Sequence, residues 1–171
     1  VDKAYDQLTA TLGANWQKKY IVWDMCAGVG NLEAKHSNLR NVYMSTLDQE
    51  DVTIMRSNPA FAGAEIFQYD YLNDDVDDFG QIDYDLSDKL PQALRQAIAD
   101  ARDRKKGAKP ILVLINPPYA EAMNVDNTKD SGAKAAMKSQ VARTRVGHSM
   151  VHLGYAAREL FVQFLHRIML E

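Results

Sequence analysis

Asn116-Pro117-Pro118-Tyr119 follows directly on five apolar residues, Ile111 to Ile115. An amide, two prolines that fix the backbone and carry no N–H, and an aromatic ring thus stand at the end of an apolar run. Upstream, Asp24 precedes the turn Cys26-Ala27-Gly28-Val29-Gly30. Gly28 lets the backbone reverse and Gly30 lets a ligand come close, and a helix starting beyond them would offer free N–H groups. An acid just before such a turn suits a ligand with a cationic amine better than a pyrophosphate. Asp48, about 20 residues past the glycines, can accept both hydrogen bonds of a ribose diol. Asp70 could accept from an exocyclic adenine amine, with Tyr69 or Tyr71 against the ring. The three acids together describe a pocket for an amino acid joined to adenosine. The plainer readings are a tight turn, an exposed strand-end acid, and one aspartate among the eight that fall in residues 70–88.

These residues need elements to hold them. Tyr20 to Met25 is a short apolar run ending at an acid, and the glycine turn then leads into LEAKHSNL, which reads as strand, turn, helix. Asn41 to Asp48 alternates as a strand and again ends at an acid. EDVTIMRSNP reads as a helix stopped before Pro59. AEIFQYDYL is a third strand candidate, and the Asp-rich 70–88 an irregular solvated insertion. Ser87 is a plausible cap for an amphipathic helix with Leu90, Leu94, Ala97, Ile98 and Ala101 on one face, ended by Gly107. KPILVLINPPY is the fourth strand, and its unbroken apolar run predicts cover on both faces. Residues 120–150 form a polar, basic segment with one helix near Ala133 to Arg143. A last helix spans 154–170, apolar at Leu160, Phe161, Phe164, Leu165, Ile168 and Met169. Alternating strands and helices imply βαβ units and a mostly parallel sheet. In such sheets ligands sit at the carboxyl ends of the strands, where Asp24, Asp48, Asp70 and Asn116 to Tyr119 all fall.

The 171 residues suffice for one domain with a real core. No apolar run reaches the roughly 20 residues that span a bilayer, and no signal-peptide pattern opens the chain. The single Cys26 excludes an internal disulfide framework and points to a reducing, cytoplasmic setting. Four histidines beside one cysteine give no metal-ligand spacing. The net charge of −3 hides an asymmetry: residues 1–100 carry 17 acids against 8 Lys/Arg, and the remainder 12 Lys/Arg against 6 acids. An anionic partner near the C-terminal half would suit that split. The chain starts at Val1 and stops inside an apolar periodic segment, which reads as a piece of a longer protein.

The glycine loop DMCAGVG and the NPPY at Asn116 to Tyr119 resemble the cofactor loop and catalytic tetrapeptide of the S-adenosylmethionine-dependent amino-methyltransferases. The resemblance covers roughly residues 20–120 and the helix 155–170. With the cofactor loop preceding NPPY, the order is that of the DNA adenine-N6 methyltransferases of restriction-modification and phage systems. It implies an α/β, Rossmann-like methyltransferase fold, truncated after the helix that follows the fourth strand. The cofactor-binding half would lie in 20–80 and the catalytic strand end in 111–119. Asp24, Cys26, Ala27, Gly28, Gly30, Asp48, Asp70, Tyr71 and Asn116 would hold S-adenosylmethionine. Asn116 and the Pro117 carbonyl would accept the two N–H bonds of a target adenine and aim its lone pair at the sulfonium methyl. Pro118 would add rigidity, and Tyr119 would stack on a base flipped out of duplex DNA. Cys26 itself reads as a small packing residue in the loop.

Lys129, Lys134, Lys138, Arg143 and Arg145 would meet phosphates. Met25 stands where such families often carry proline, and no upstream cofactor element is recognisable before Tyr20, so Trp16 or Asn15 would have to substitute. With later strands and any target-recognition domain missing, the fragment is expected to be inactive alone. The alternatives are a protein glutamine-amide or RNA base-amine methyltransferase, and a non-catalytic nucleic-acid-binding module. A nicotinamide dehydrogenase is disfavoured because Glu33 stands at the third glycine position of G-x-G-x-x-G. No membrane partner and no metal are implied.

Overall fold

The computed structural model describes residues 1–119 and 144–171, which divide into two compact units. The first comprises 1–69 and 89–116, the second 70–88 and 117–171.

The first unit is built on a four-stranded, all-parallel sheet: β1 (Ile21–Asp24), β2 (Val42–Thr46), β3 (Glu65–Gln68) and β4 (Ile111–Val113). The spatial order is β3-β2-β1-β4, so the chain winds outward in one direction from β1 and β4 then takes its other side. The register pairs Val22 with Val42 and Leu112, and Trp23 with Tyr43 and Val113. The helices of this unit are α1 (Asp2–Leu12), α2 (Trp16–Lys19), α3 (Gln49–Ser57) and α4 (Gln92–Arg102). Trp16, Val22, Val42, Met44, Val52, Met55, Phe61 and Ile66 form one buried cluster. Burying such side chains stabilises by roughly 1.5–3 kcal/mol each. The fold is therefore α/β with a parallel sheet and flanking helices, as the strand–helix alternation predicts.

Three expectations for this unit change. The segment from β1 to β2 contains no α-helix, only 3-10 turns at Glu33–Lys35 and Leu39–Asn41. It is held by outside contacts instead of an internal ladder: Tyr5 Oη donates to the Leu32 carbonyl, and the Ser37 N–H and hydroxyl both donate to Gln17 Oε1. Ser87 does not cap α4, because Pro91 disfavours helical geometry at Leu90 and itself becomes the N-cap. The buried face of α4 carries Leu94 and Ile98, with Leu90 buried just ahead of it. β4, expected to be covered on both faces, is only half-buried throughout. It has a neighbour on one side only, since it ends the described sheet.

The second unit packs the 70–88 segment, α5 (Arg145–Ser149), a 3-10 stretch (Val151–Arg158) and α6 (Leu160–Leu170) around Tyr71, Leu72, Val76, Val146, Met150 and Phe164. The aspartates of 70–88 do local work. Asp75 is buried and accepts the Ser87 N–H, while Asp77 accepts from Phe79 and Gln81. The single helix expected over 154–170 is broken by a non-helical Gly154 and starts anew at Leu160. Its apolar stripe is buried only in part: Phe164 is buried and Leu160, Phe161 and Ile168 are half-buried, while Leu165 and Met169 are exposed and the polar Gln163 and Arg167 are buried beside Phe164. The Arg167 guanidinium donates to the Tyr71 and Asp74 carbonyls and lies over the Tyr71 ring, 4.2 Å from its centroid. That satisfies buried carbonyls with a charged donor.

The helix expected near Ala133 to Arg143 lies outside the described residues. Among those described, no helix is long and apolar enough to cross a membrane.

Candidate functional site

The carboxyl ends of parallel strands lie on one edge of a sheet, and β1, β2 and β4 each deliver a marked residue there. Asp24 is the last residue of β1. Its Oδ1 accepts the Cys26 N–H at 2.8 Å, which turns the chain sharply. The Ala27 N–H donates to the Ser45 carbonyl at 2.9 Å and the Gly30 N–H to the Ala27 carbonyl at 2.9 Å. The loop is thereby fixed to β2 as well as to itself. Beneath it, Trp23 Nε1 donates to Ser45 Oγ, whose hydroxyl donates to the Asp24 carbonyl.

The two glycines do different jobs, and one differs from expectation. Gly28 has φ 55°, and a Cβ added there would meet nothing within 4 Å, so the loop is open above it. Gly30 has φ 85°, but a Cβ there would lie 2.5 Å from Phe61 and 2.7 Å from Met44. Gly30 is therefore small for the sake of the core, and Gly28 is the residue with room for a ligand.

Asn116 stands three residues past the end of the neighbouring strand, β4. The Leu114 N–H donates to the Trp23 carbonyl at 3.3 Å, which carries the β1–β4 register beyond the strands and sets Asn116 beside Cys26. The Asn116 N–H accordingly faces the Cys26 sulfur, and Asn116 is exposed. Burial first, and the Asp24 charge next, push the Cys26 thiol up into its neutral form. That agrees with a packing residue and not a nucleophile. Asp48 lies just beyond β2. It is exposed, and its carboxylate does not cap α3 although its backbone is the N-cap.

One member of this cluster carries no signal in the sequence as a site residue. Glu33, read only as an absent glycine, is buried at 1% exposure, as is Asp24. Among the described residues, neither Glu33 carboxyl oxygen accepts a hydrogen bond from another residue, and each of the two carboxyls acts on the other electrostatically. Burial first, and the Asp24 charge second, raise Glu33 well above the usual carboxylate range. Asp24 is raised by burial and partly restored by the Cys26 N–H. Trp16, a possible stand-in for the missing upstream element, is instead fully buried with Nε1 donating to Thr9 Oγ1.

In the second unit the expected ligand contacts are occupied by structure. Asp70 accepts from the Leu72 N–H and from Asn73 Nδ2, a local turn that uses both carboxylate oxygens. Tyr71 is buried at 2% exposure, stacked on Phe164 with centroids 5.3 Å apart, and its hydroxyl donates to Glu171. Its ring has no face left for adenine. Tyr69, in the first unit, is likewise buried against Trp23 and Phe67. Pro117, Pro118 and Tyr119 follow Asn116 into the second unit. There Tyr119 is 82% exposed, with its ring 6.4 Å from that of Phe161. Arg145 donates to the Val76 carbonyl and sits 3.9 Å from Asp78, so its charge serves the fold. Lys129, Lys134, Lys138 and Arg143 lie outside the described residues. Among the described residues, no three His, Cys, Asp or Glu side chains are placed to hold a metal ion.

Comparison with known protein families, with curated proteins and with solved structures returns no match for this chain.

Proposed function

We propose that the chain carries the cofactor and target-amine site of an S-adenosylmethionine-dependent methyltransferase acting on the N6 amine of adenine in DNA. The observation that carries this reading is the adjacency of two strand ends. Asn116 stands beside Cys26 of the glycine loop, where the strand order reverses between β1 and β4. That switch point is where open parallel sheets bind their ligands.

The residues fit the group. The glycine loop is open above Gly28, Asp48 has a carboxylate left uncommitted by its helix, and the donor-less Glu33 beside Asp24 calls for a cation. Bound there, the cofactor would supply an electrophilic methyl on a sulfonium. Asp48 would accept from the ribose diol, and the acids under the loop would balance the amino-acid amine. Asn116 Oδ1 and the Pro117 carbonyl would accept the two N–H bonds of the target amine. Its lone pair is otherwise delocalised into the ring, and two fixed acceptors favour the tetrahedral nitrogen that can attack.

The test is transfer of a tritiated methyl group, by the full-length protein, from labelled S-adenosylmethionine to DNA, RNA and protein offered in parallel. Label in DNA adenine that falls by about a hundred-fold or more in Asn116→Ala is the expected result, the scale of losing one preorganised transition-state contact. Label found only on protein, or transfer that Asn116→Ala leaves unchanged, overturns it. Calorimetry with S-adenosylhomocysteine against NAD separates this reading from a dehydrogenase.

A further inference from the structure

We propose that Asp24 and Glu33 form a carboxyl pair sharing one proton under the glycine loop, and that the ammonium of an amino-acid-bearing ligand displaces that proton. The displacement rests on the function proposed above, whereas the pair rests on the first unit's own geometry.

Among the described residues, the groups that face the pair are few. Tyr5 of α1 lies close enough for the Glu33 charge to hold its phenol protonated, after burial, and its hydroxyl is already given to the Leu32 carbonyl. The Cys26 thiol lies against Asp24 and is itself held neutral. The nearest basic side chains in sequence supply no charge to the pair: Lys35 pairs with Asp2 at the surface, and His36, which burial favours as neutral, accepts the Asn38 N–H at Nδ1 while its ring packs edge-on to Trp16. From the Pro59–Phe61 turn, which packs on the Glu33–Lys35 turn, no titratable group is presented.

Two buried carboxylates without a cation are costly. One proton between them converts that cost into an O–H donor facing an anionic acceptor, the behaviour of a dyad that titrates as a pair. Glu33 has no hydrogen-bond partner for either oxygen among the described residues, so it carries the proton, and Asp24 keeps the charge that the Cys26 N–H stabilises. Both carboxyls are covered, at 1% exposure each, so a primary ammonium seated at the glycine loop reaches them only by displacing part of that cover, and then meets two carboxyls able to balance it. Glu33 then gives its proton to the solvent, the ammonium keeps its own, and a carboxylate pair faces one cation. An anionic group such as a pyrophosphate gains nothing here. Glu33 thus selects for an amino acid moiety, and binding becomes tighter as pH rises, by up to ten-fold per pH unit while the proton is still bound.

The experiment has two arms. In the unliganded protein, carbon NMR of the side-chain carboxyls follows Glu33 through a pH titration. It is expected to titrate well above the ordinary glutamate range and to move down in Asp24→Asn. Titration in the ordinary range overturns the pair. In the second arm, calorimetry at pH 7.5 in buffers of different ionisation enthalpy compares S-adenosylhomocysteine with 5′-methylthioadenosine, which lacks the amino acid. Release approaching one proton is expected with the first and none with the second, and Glu33→Gln is expected to abolish the release. Binding of both nucleosides without release overturns the displacement alone. Binding of neither overturns the displacement and the proposed function together.

Discussion

At the scale of single residues, side chains of one type play opposite parts according to what surrounds them. Gly28 and Gly30 both occupy the left-handed region, but only Gly30 abuts the core. Gly30→Ala is expected to cost about 2–4 kcal/mol, from backbone strain plus overpacking against Phe61 and Met44. Gly28→Ala should cost about 1 kcal/mol of strain alone, and should weaken S-adenosylhomocysteine binding more than it weakens the fold. Urea unfolding beside calorimetry distinguishes the two. Glu33 gives a pH dependence of stability. Its folded-state value lies above the ordinary one, so the folded chain binds the proton more tightly than the unfolded chain does. Stability is then greatest below the ordinary glutamate range and falls as pH rises from there toward the folded value. Glu33→Gln should remove that slope and be more stable than the parent at pH 8, as thermal unfolding across pH would read.

Elements take their places from contacts that cross the fold. α4 holds its sheet through a narrow apolar face, and Leu94 is fully buried in it. Leu94→Ala is expected to destabilise the first unit by about 2–5 kcal/mol, the range for a large-to-small change in a core. α6 buries the polar Gln163 and Arg167 beside Phe164, while Leu165 and Met169 face outward. Arg167→Met keeps much of the apolar stem but leaves the Tyr71 and Asp74 carbonyls without their charged donor. A loss of about 3–5 kcal/mol follows from breaking such a buried charged contact. It should register in hydrogen exchange as faster amide exchange in residues 70–88 and 144–171.

For the molecule as a whole, charge sets the expectation. The basic excess past residue 100 predicts that any association with duplex DNA is salt-dependent. About four phosphate contacts would weaken binding on the order of a hundred-fold between roughly 50 and 200 mM salt. Filter binding across that range reads it, and a flat response would argue against phosphate contacts.

What the sequence determined by itself is local: roughly where each strand lies, that Asp24 ends its strand, and that Asp48 and Asn116 fall past theirs. Short apolar runs, glycine turns and prolines act over a few residues, so the order of residues expresses them directly. The missing helix after the glycine turn and the burial of Gln163 and Arg167 in α6 were not legible. Each depends on partners distant in the chain, such as Gln17 for Ser37 or Tyr71 for Arg167. Two results belong to tertiary structure alone. Strand order sets Asn116 beside Cys26, and the cover over Glu33 makes a pair of it and Asp24. Burial and the absence of a hydrogen-bond donor are properties of surroundings, and only the folded chain supplies them.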